Sequence, residues 1–365
     1  MTILATACVV LLCTVHLASA VLVIWRMRRM ARPVATHHQS VTVLRPVHGL
    51  DAFDAETLES TFHLDWPHHD IIFCAARPDD PACDAIRGMI ARNPHRSARL
   101  MIAEDRATAN PKLNNLIKGW DAATGEMVVM ADANLLLPPD YLHRLVAVWD
   151  DDCALVSSPA AGTRPANLWG AVECAFLNGF QGRWQLAADS VGLGYAQGKT
   201  LMVRKSWLDA AGGLPALGRN LAEDVAFTKL VRERGAKVRL AQHMFSQPVG
   251  VRSFRAVWER QLRWSRVRRD GFAGLFATEI LLGVVPPALL LSALAHPGWG
   301  LGLAIMWFAT EWALCRYAGW PHGPRDVLAM VLRDMMLPAL WVAGYARRGF
   351  DWRGTRLDTT RHDPA

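Results

Sequence analysis

The fold is decided by the stretch V-V-M-A-D-A-N-L-L-L, residues 128–137. It opens as an apolar run typical of a buried strand, and the run ends at Asp132 and Asn134. Residues two apart in an extended segment point the same way, so we expect both side chains to offer oxygen atoms to one point. Such oxygens suit Mg²⁺ or Mn²⁺ together with substrate phosphates. The alternative is a surface turn, because Asp and Asn are also common turn residues.

The composition indicates a membrane protein with one large domain. Of the 365 residues, 52% are hydrophobic and only 20% are charged, which argues against a simple soluble enzyme. The net charge of +7 could attract nucleic acid, but the arginines cluster beside apolar segments, so we expect no nucleic-acid partner. The 7 cysteines are scattered without a C-x-x-C pair, which argues against a disulfide framework or a cysteine metal site.

The amino-terminal segment, residues 1–26, is predicted to be a transmembrane helix. Its apolar run is followed at once by Arg26, Arg28, Arg29 and Arg32. Positive charges after the apolar run predict a signal-anchor with its amino end outside, whereas a cleavable signal peptide would have them before it. The chain beyond this segment should therefore begin on the cytoplasmic side.

Residues 272–346 are predicted to form a carboxyl-terminal membrane region of two spans plus one re-entrant or interfacial segment. Within it, 272–295 is interrupted by two prolines, 301–316 is a weaker candidate, and 327–345 contains Arg333, Asp334 and Pro338. An even number of crossings keeps both arginine-rich flanks on the cytoplasmic side. Residues 347–365 are then a basic cytoplasmic tail.

Residues 38–248 are predicted to form an α/β domain. Short β-branched or apolar strands at 40–44, 70–75 and 98–102 alternate with helical segments, which predicts a doubly wound, mostly parallel sheet. Ligands of such sheets bind at the carboxyl ends of the strands, and the strand before Asp132 ends there. Farther along, residues 167–186 are predicted to be one long helix.

Two helix starts in this domain carry candidate functional groups. In N-P-K-L-N-N, residues 110–115, the first Asn is a plausible cap, so free amides and Lys112 would face an anion. The alternative is an ordinary capped helix. Glu223 and Asp224 begin the helix predicted at 222–234, where charge complementarity with the helix dipole is the competing explanation.

Residues 249–271 are predicted to be an amphipathic segment rich in Trp and Arg. It contains V-W-E-R-Q-L-R-W at 257–264. Helices that lie at a membrane interface have this composition. The functional alternative is an Arg that binds phosphate beside a Trp that packs on a sugar or a nucleotide.

Four motifs in this order resemble those of the ceramide glucosyltransferases, lipid-directed members of the family-2 group of glycosyltransferases. They are N-P-K-L-N-N at 110–115, A-D-A-N at 131–134, A-E-D at 222–224 and R-Q-L-R-W at 260–264. The resemblance runs from about residue 41 to residue 269. The stretches 173–178 and 197–199 are more similar to bacterial members than to animal ones.

The resemblance implies a GT-A fold and transfer of glucose from UDP-glucose to the primary hydroxyl of ceramide with inversion. It implies that Asp132 and Asn134 hold the divalent metal and the donor, that Asp224 is the general base, and that Arg263 with Trp264 holds the diphosphate. We further assign donor binding to Arg45, Asp79, Asp80, Lys112, Asn115 and Arg260, and the acceptor groove to Glu173, Gln197 and Glu223.

Two departures from the family pattern bear on the substrates. Relatives carry an aspartate after the second strand on the uracil side, and Arg77 stands in its place here, so Asp79 or Asp80 is assigned that role. Animal members also have a histidine on the long helix before the glycine-rich loop, whereas residues 180–185 contain none. The acceptor-groove residues of the animal members therefore cannot be assigned to positions in this sequence.

Three other functions compete with ceramide glucosylation. The first keeps the chemistry but changes the substrates, for example N-acetylglucosamine onto a hopanoid polyol. The others are a polysaccharide synthase and a non-catalytic membrane scaffold. In the favoured case the protein is a multi-pass enzyme of the inner membrane, surrounded by membrane lipids, with its catalytic domain facing the cytoplasm.

Overall fold

The computed structural model describes residues 2–29, 39–220, 222–346, 350–352 and 355–357. The chain divides into two compact units. The sheet unit comprises residues 30–160 and 191–248, and the helical unit comprises residues 1–29, 161–190 and 249–365. Arg32 and the predicted basic tail, apart from two short strands, lie outside the described residues.

The strands of the described residues are β1 (Val41–Val47), β2 (His69–Ala75), β3 (Ala98–Ile102), β4 (Met127–Ala131), β5 (Cys153–Ser158), β6 (Ala160–Pro165), β7 (Thr200–Arg204), β8 (Lys237–Leu240), β9 (Phe245–Gly250), β10 (Phe350–Trp352) and β11 (Thr355–Leu357). Seven of them form the main sheet in the order β3-β2-β1-β4-β7-β5-β8. The pairs β3-β2, β2-β1, β1-β4 and β5-β8 are parallel, and β7 runs antiparallel to both of its neighbours. The predicted doubly wound, mostly parallel sheet is confirmed.

The α-helices are α1 (Thr2–Arg28), α2 (Asp54–Glu59), α3 (Pro81–Arg92), α4 (Pro111–Asp121), α5 (Tyr141–Val146), α6 (Leu168–Ala175), α7 (Arg183–Ser190), α8 (Lys205–Asp209), α9 (Glu223–Glu233), α10 (Phe254–Gly271), α11 (Ala273–Thr278), α12 (Val285–Leu294), α13 (Pro297–Ala318) and α14 (Pro324–Ala346). Three 3₁₀ turns cover Ser60–His63, Leu214–Arg219 and Glu279–Leu282. The described part of the chain also contains a π-helical segment, Phe176–Gly182.

The central strand of the sheet unit is apolar because both of its faces are covered. All five residues of β4 are buried. Val128 and Met130 belong to a core cluster that contains residues of α4 and α9. Val129 and Ala131 belong to a second cluster that contains residues of α5. Burial on both faces explains why this strand reads as a continuous apolar run instead of an alternating one.

The helical unit is held together by helix packing. Helix α1 packs against α7, α12 and α13, and α14 packs against α6 and α10. Its outward side chains are apolar: Leu11 of α1, Ile305 of α13 and Val342 of α14 are 60%, 63% and 61% exposed. Exposed apolar side chains along these helices are suited to contact with lipid.

Two helices in the described residues are long and apolar enough to cross a bilayer, Ile3–Arg28 and Pro324–Ala346. A third candidate is the pair Ala273–Leu282 and Val285–Leu294, bent by 57°, which is a broken span or a re-entrant loop. The break between the pair lies at residues 283–284, directly before the first turn of α12, which contains Pro286 and Pro287. Pro338 lies inside α14 without ending it. The count of two spans plus one re-entrant segment after residue 272 stays a prediction.

The long helix predicted at 167–186 is present as a continuous helical run from Leu168 to Ser190, but the middle of the run is π-helical. Helix α6 ends at Ala175, and seven residues of π-helix, Phe176–Gly182, separate it from α7. A buried carboxylate crowds this segment: a Cβ built on Gly179 would lie 1.7 Å from Glu311 Oε1. Apolar periodicity could not reveal the interruption, because π-helical bulges arise from such local packing.

Candidate active site

Asp132 and Asn134 follow β4 in the sheet unit, and their side chains meet at one ammonium group. Lys199 Nζ lies 3.0 Å from Asp132 Oδ2 and 3.0 Å from Asn134 Oδ1. The two oxygens therefore converge as predicted, but Ala133 and Asn134 form a turn, closed by a hydrogen bond of 3.1 Å from the N–H of Leu135 to the carbonyl of Asp132, and not the extended segment that the prediction assumed. Their oxygens form one side of the candidate site.

The start of helix α4 forms a second side. Asn110 is the N-cap residue, and its side-chain oxygen accepts hydrogen bonds from the backbone N–H groups of Lys112 and Leu113. Pro111 occupies the first turn, where its missing N–H costs nothing. The cap predicted from N-P-K-L-N-N is present, but the amides of Lys112 and Leu113 that were expected to face an anion are bonded to Asn110, as in the alternative of an ordinary capped helix.

Lys112 joins the two acidic parts of the site. Its Nζ lies 2.7 Å from Asp132 Oδ1 and 2.7 Å from Glu223 Oε1. It also donates a hydrogen bond of 2.7 Å to the carbonyl oxygen of Gly198. Asn110 donates from Nδ2 to the other oxygen of Glu223 at 3.0 Å. One ammonium group therefore holds together three segments that are far apart in the sequence.

The charges of this network keep its ion pairs ionised. Burial alone would lower the pKa of Lys112, but the charges of Asp132 and Glu223 outweigh it and raise that pKa above its ordinary value. Burial would likewise raise the pKa of Asp132, but Lys112 and Lys199 outweigh it and lower that pKa below its ordinary value. The site therefore carries fixed positive and negative groups side by side at neutral pH.

Asp224 lies in the first turn of α9 with its carboxylate held by backbone amides. Oδ2 accepts from the N–H of Gly198 at 2.9 Å, and Oδ1 accepts from its neighbour Val225 at 2.8 Å. Burial and the negative charge of Glu223 raise the pKa of Asp224 to about 6, although both hydrogen bonds and Lys112 oppose the shift. A carboxylate of this kind is a stronger base than an ordinary one and is still ionised at neutral pH.

The segment Gly198-Lys199 contacts both Asp132 and Asp224 and so links the two acidic side chains. Gly198 contacts Asp224 through its N–H and Lys112 through its carbonyl oxygen, and Lys199 contacts Asp132. A Cβ at Gly198 would lie 2.6 Å from Glu223 Oε1, so a glycine fits here. Asp132 and Asp224, 92 positions apart by their numbers, therefore belong to one site.

Sequence reasoning did not assign Lys199 a role. The sequence feature that could have indicated Lys199 is the glycine-rich stretch before β7, but the spacing of its glycines does not match a phosphate-binding loop. Its neighbour Gln197, assigned to the acceptor groove, accepts a hydrogen bond from the backbone N–H of Ala160 through Oε1 at 3.2 Å. The backbone of Gln197 exchanges hydrogen bonds with the Ser157 hydroxyl.

Arg45, assigned to donor binding, lies fully buried under the loop that follows β4. One of its terminal nitrogens, Nη2, donates to the carbonyl oxygens of Thr57, Ala133 and Leu135 at 3.0 to 3.1 Å. Burial lowers the pKa of Arg45 to about 10. The side chain therefore supports the backbone between Asp132 and Leu135, and any influence on a donor passes through that loop.

Asn115, the other donor-binding residue on α4, supports the strand ends. Its Nδ2 donates to the carbonyl oxygens of Cys74 at 2.8 Å and Val47 at 3.4 Å. These carbonyls lie at the carboxyl ends of β2 and β1. Asn115 thus ties helix α4, and with it Lys112, to the edge of the sheet where ligands bind in this fold class.

Asp79 and Asp80 have different surroundings. Asp79 is exposed and pairs with Arg77, whose Nε donates to Oδ1 at 3.0 Å. Asp80 is buried as the N-cap of α3, where its carboxylate accepts from the N–H groups of Ala82 at 2.9 Å and Gly49 at 3.0 Å. Asp80 therefore fixes the loop after β1, while Asp79 keeps an open face.

The R-Q-L-R-W motif lies on α10 in the helical unit, and Glu173 of α6 is its partner. Glu173 is fully buried, with Oε1 2.7 Å from Arg260 Nη1, and its other oxygen accepts from Gln261 at 3.3 Å. The Arg260 guanidinium lies 5.7 Å from the centre of the Trp264 ring. Arg263 is half-buried on the same helix. Glu173, assigned to the acceptor groove, contacts the motif itself.

The oxygens of Asp132 and Asn134 fit a divalent cation by their chemistry. One carboxylate and one amide oxygen on the same side of a loop are what Mg²⁺ or Mn²⁺ takes from a protein when phosphate and water supply the remaining ligands. Among the residues that the structure describes, three or more His, Cys, Asp or Glu side chains do not gather as a metal cluster of their own.

Comparison with known proteins bears on the identity of this site. The model of a family described as "Glycosyl transferase family 21" matches residues 8–363. Ceramide glucosyltransferase 1 of Caenorhabditis elegans is 25% identical over 281 residues, which cover 76% of this chain and 60% of that protein. The ceramide glucosyltransferase of Komagataella phaffii is 32% identical over 123 residues, 33% of this chain and 24% of that protein. The chain therefore spans well under the full length of these relatives.

A solved structure supports the fold. The mannosyltransferase PcManGT from Pyrobaculum calidifontis, solved in complex with GDP-Man and Mn²⁺, superposes with a TM-score of 0.53 at 17% identity, and covers 93% of this chain and 97% of its own. At this identity the likeness concerns the fold alone. The GT-A fold that the motifs implied is confirmed, as is the similarity to ceramide glucosyltransferases.

Proposed function

The chain belongs to glycosyl transferase family 21, and on that basis we propose that it transfers glucose from UDP-glucose to the primary hydroxyl of ceramide with inversion. The observation that carries the proposal is the meeting of Asp132, Glu223 and Asp224 around Lys112 and Gly198. A site of this kind places a base near an ammonium group that can stabilise a diphosphate. Sugar transfer from a nucleotide needs both.

Asp224 is the proposed general base. It takes the proton of the acceptor hydroxyl while that oxygen bonds to the anomeric carbon, and the bond from this carbon to the diphosphate oxygen breaks on the opposite face. UDP leaves with the bonding electrons, and a single displacement inverts the configuration. The raised pKa of about 6 favours this role, since the pKa of a good general base lies near the working pH.

Lys112 is proposed to stabilise the negative charge that develops on the leaving diphosphate. Its ammonium group lies 2.7 Å from Asp132 Oδ1, beside the oxygens assigned to the cation. A preorganised positive group in a partly buried site stabilises such charge more strongly than water does. When bound, a divalent cation held by Asp132 and Asn134 supplies further positive charge to the same diphosphate.

The residues of the helical unit are proposed to act on the donor through α10. Arg263 and Trp264 would hold the diphosphate, and Arg260 would assist them. The ion pair of Glu173 with Arg260 at 2.7 Å supports a positioning role for Glu173, because a buried carboxylate fixes the orientation of the arginine it binds. Glu173 would then shape the acceptor groove indirectly.

The remaining assigned residues are proposed to act from the sheet unit. Asp79, with its open face, is the better candidate than the capping Asp80 for the uracil side of the nucleotide. Gln197 and Glu223, on either side of the Gly198 segment, would border the acceptor next to Asp224. Arg45 and Asn115 would contribute by holding the loops on which the donor rests.

The protein is proposed to work at the cytoplasmic face of the inner membrane as a multi-pass protein. The two candidate spans and the basic residues in the last turn of α1, Arg26 and Arg28, support this arrangement. Ceramide and its surrounding lipids would then be within reach of the enzyme without leaving the bilayer.

The test incubates the purified full chain in lipid nanodiscs with radiolabelled UDP-glucose or UDP-N-acetylglucosamine and with ceramide or a hopanoid polyol. We expect glucosylceramide alone among the four combinations, with the β configuration by NMR. Turnover only with the hopanoid polyol, or only with UDP-N-acetylglucosamine, would overturn the choice of substrates. A ladder of long products on a gel would indicate a polysaccharide synthase, and the absence of any transfer would favour the scaffold.

A further inference from the structure

The loop that follows helix α7 presents two apolar side chains to solvent. Val191 and Leu193 are 58% and 65% exposed. Between them Gly192 has a positive φ of 83°, and a Cβ built on it would meet no other atom within 4 Å. The stretch S-V-G-L-G-Y-A-Q, residues 190–197, contains no charged residue. A turn therefore holds two apolar side chains in open space, although contact with water is unfavourable for them.

The end of helix α1 marks the level of the bilayer surface. The segment Ile3–Arg28 is long and apolar enough to cross a membrane, and aromatic and basic side chains gather at its end. Trp25 is 46% exposed, and the guanidinium of Arg29 lies 3.6 Å from the centre of its ring. The guanidinium of Arg28 lies 5.3 Å from the centre of the Tyr317 ring. Trp, Tyr and Arg collect in this way where lipid meets water.

An ion pair holds helix α7 at this level. Arg26 Nη1 lies 2.6 Å from Asp189 Oδ2, and the two side chains are buried against each other. Asp189 belongs to the last turn of α7, which ends at Ser190. Since a chain advances at most about 3.6 Å per residue, Val191 lies within about 7 Å of Asp189 and Leu193 within about 14 Å. The exposed apolar side chains therefore begin at the surface of the bilayer.

We propose that Val191 and Leu193 insert into the bilayer surface, where lipid chains cover them. The lack of charge in residues 190–197 suits this depth, because a charged side chain in the stretch would have to leave water. The partner of this surface is thus lipid. The contact goes beyond sugar transfer, since it depends only on α1 as a membrane segment.

The other end of the same loop belongs to the candidate site. The carbonyl oxygen of Gly194 accepts a hydrogen bond of 3.1 Å from Arg232 on α9. Gly198, four positions farther on, binds the carboxylate of Asp224 through its N–H. One short loop therefore joins the lipid-covered tip to the segment that holds Asp224. On the proposed function, which this last step assumes, an acceptor in the bilayer reaches the base along this loop.

The test measures the depth of residue 193 in the full chain reconstituted in lipid nanodiscs. Leu193→Cys carries the fluorophore NBD, and lipids with a nitroxide at a shallow or a deep position of the chain quench it. We expect quenching that places the label about 5–10 Å below the headgroup boundary. Equal emission with and without nitroxide lipid would overturn the proposal. Blue-shifted emission that nitroxide lipid does not quench would also overturn it, because protein, such as a second copy of the chain, would then cover the tip.

Further substitutions control this measurement. Cys8→Ala and Cys13→Ala remove the two cysteines that are not buried, so that NBD reacts at the introduced site. Val21→Cys, on the exposed side of α1, should be quenched by nitroxide lipid. Asp151→Cys, at an exposed position in a turn of three consecutive aspartates, should not be quenched, because its charged neighbours stay in water. Thermal melts establish that each labelled variant is folded.

A charged variant connects the lipid contact to activity, and this part of the test assumes the proposed function. Val191→Asp combined with Leu193→Asp places two carboxylates at the bilayer surface. We expect transfer to ceramide held in the nanodisc to fall by about tenfold. Transfer to a water-soluble short-chain acceptor should stay constant, because the site itself is unaltered. An equal loss with both acceptors, or no loss with either, would overturn the role of the lipid contact in transfer.

The two measurements separate this inference from the proposed function. If the protein transfers no glucose to ceramide, the wild type fails the transfer assay, but the quenching measurement needs neither donor nor acceptor. If only the lipid contact is wrong, transfer occurs and the label at residue 193 is not quenched.

Discussion

Two clusters of charged side chains among the described residues differ in what their charges can bind. The open cluster of the sheet unit consists of Lys112, Asp132, Lys199 and Glu223, whose side chains are 13%, 24%, 7% and 11% exposed. The sealed cluster of the helical unit consists of Glu311, Arg333 and Asp334, which are at most 2% exposed. Charges that keep some contact with solvent can exchange partners for a ligand, whereas sealed ones cannot.

The sealed cluster connects several helices. Arg333 of α14 binds both oxygens of Glu311 on α13, at 2.5 and 2.8 Å, and one oxygen of Asp334. It also donates to the carbonyl of Ala175 at the end of α6, and Asp334 accepts from the N–H of Val284. The cluster thus joins four helical segments. Ionisable groups inside a membrane region are rare and are usually paired in this way.

The largest expected effect concerns activity beside the open cluster. Asp224→Asn removes the base but keeps an oxygen that can accept from Gly198, so we expect kcat to fall by about 10²- to 10⁴-fold while UDP still binds. Steady-state transfer and UDP titration measure the two quantities. Retained activity would show that Asp224 is not the general base.

The same variant has a predicted effect on stability. Because the pKa of Asp224 is raised to about 6 in the folded protein, its stabilising contribution is full below the ordinary pKa and is lost as the pH rises through 6. Asp224→Asn does not titrate, so its Tm should equal or exceed that of the wild type above pH 6. A clearly lower Tm there would show that the ionised carboxylate supports the fold.

The next effect concerns stability in the sealed cluster. Arg333→Met leaves two carboxylates buried without their cation, so we expect a loss of about 3–5 kcal/mol in the free energy of unfolding. Denaturant titration in detergent checks this. Arg316→Met, on the exposed side of α13, is the control and should cost less than about 1 kcal/mol. A similar small loss for both would mean that the sealed cluster does not hold the helices.

The pH profile of the reaction probes the open cluster without a change in fold. We expect kcat/KM to rise with pH by about tenfold per unit below 6 and to level off above it, because Asp224 must be ionised to act. Glu223→Gln removes a negative neighbour and should move the midpoint to lower pH. A flat profile across this range, measured with buffers of constant ionic strength, would contradict the assignment.

The smallest effect is expected for an exposed pair that belongs to neither cluster. Asp79→Asn breaks the surface contact with Arg77 and should change the free energy of unfolding by less than about 1 kcal/mol. If Asp79 contacts the uracil side, KM for UDP-glucose rises about fivefold while kcat stays constant. An unchanged KM would show that Asp79 does not contact the uracil side of the nucleotide.

The sequence predicted the open cluster in part because its signals are local. An apolar run that ends at Asp132, a cap followed by proline before Lys112, and acidic residues at the start of α9 are each visible within a few residues. The parallel order of β1 to β4 followed from the alternation of strands and helices. The position of Lys199 could not be predicted, because it depends on β7 running antiparallel between β4 and β5. The periodicity of apolar residues does not encode such strand pairing.

The sealed cluster could not be predicted, since its partners come from four separate segments. Glu311 and Arg333 each read as interruptions of apolar helices, although in the fold they neutralise one another. The bounds of α13 were predicted too short, at 301–316 instead of Pro297–Ala318, although His296 caps the helix and Pro297 occupies its first turn. Charged residues that interrupt an apolar helix in the sequence can therefore form contacts between helices in the fold.

A structure of the protein with UDP-glucose and Mn²⁺ tests the central claim most directly, because it asks whether one site holds the donor, the cation and the base. The account predicts the cation on Asp132 and Asn134, Lys112 beside the diphosphate, and the anomeric carbon facing Asp224 with room for a hydroxyl between them. A diphosphate bound away from Lys112, or an anomeric carbon turned away from Asp224, would contradict it.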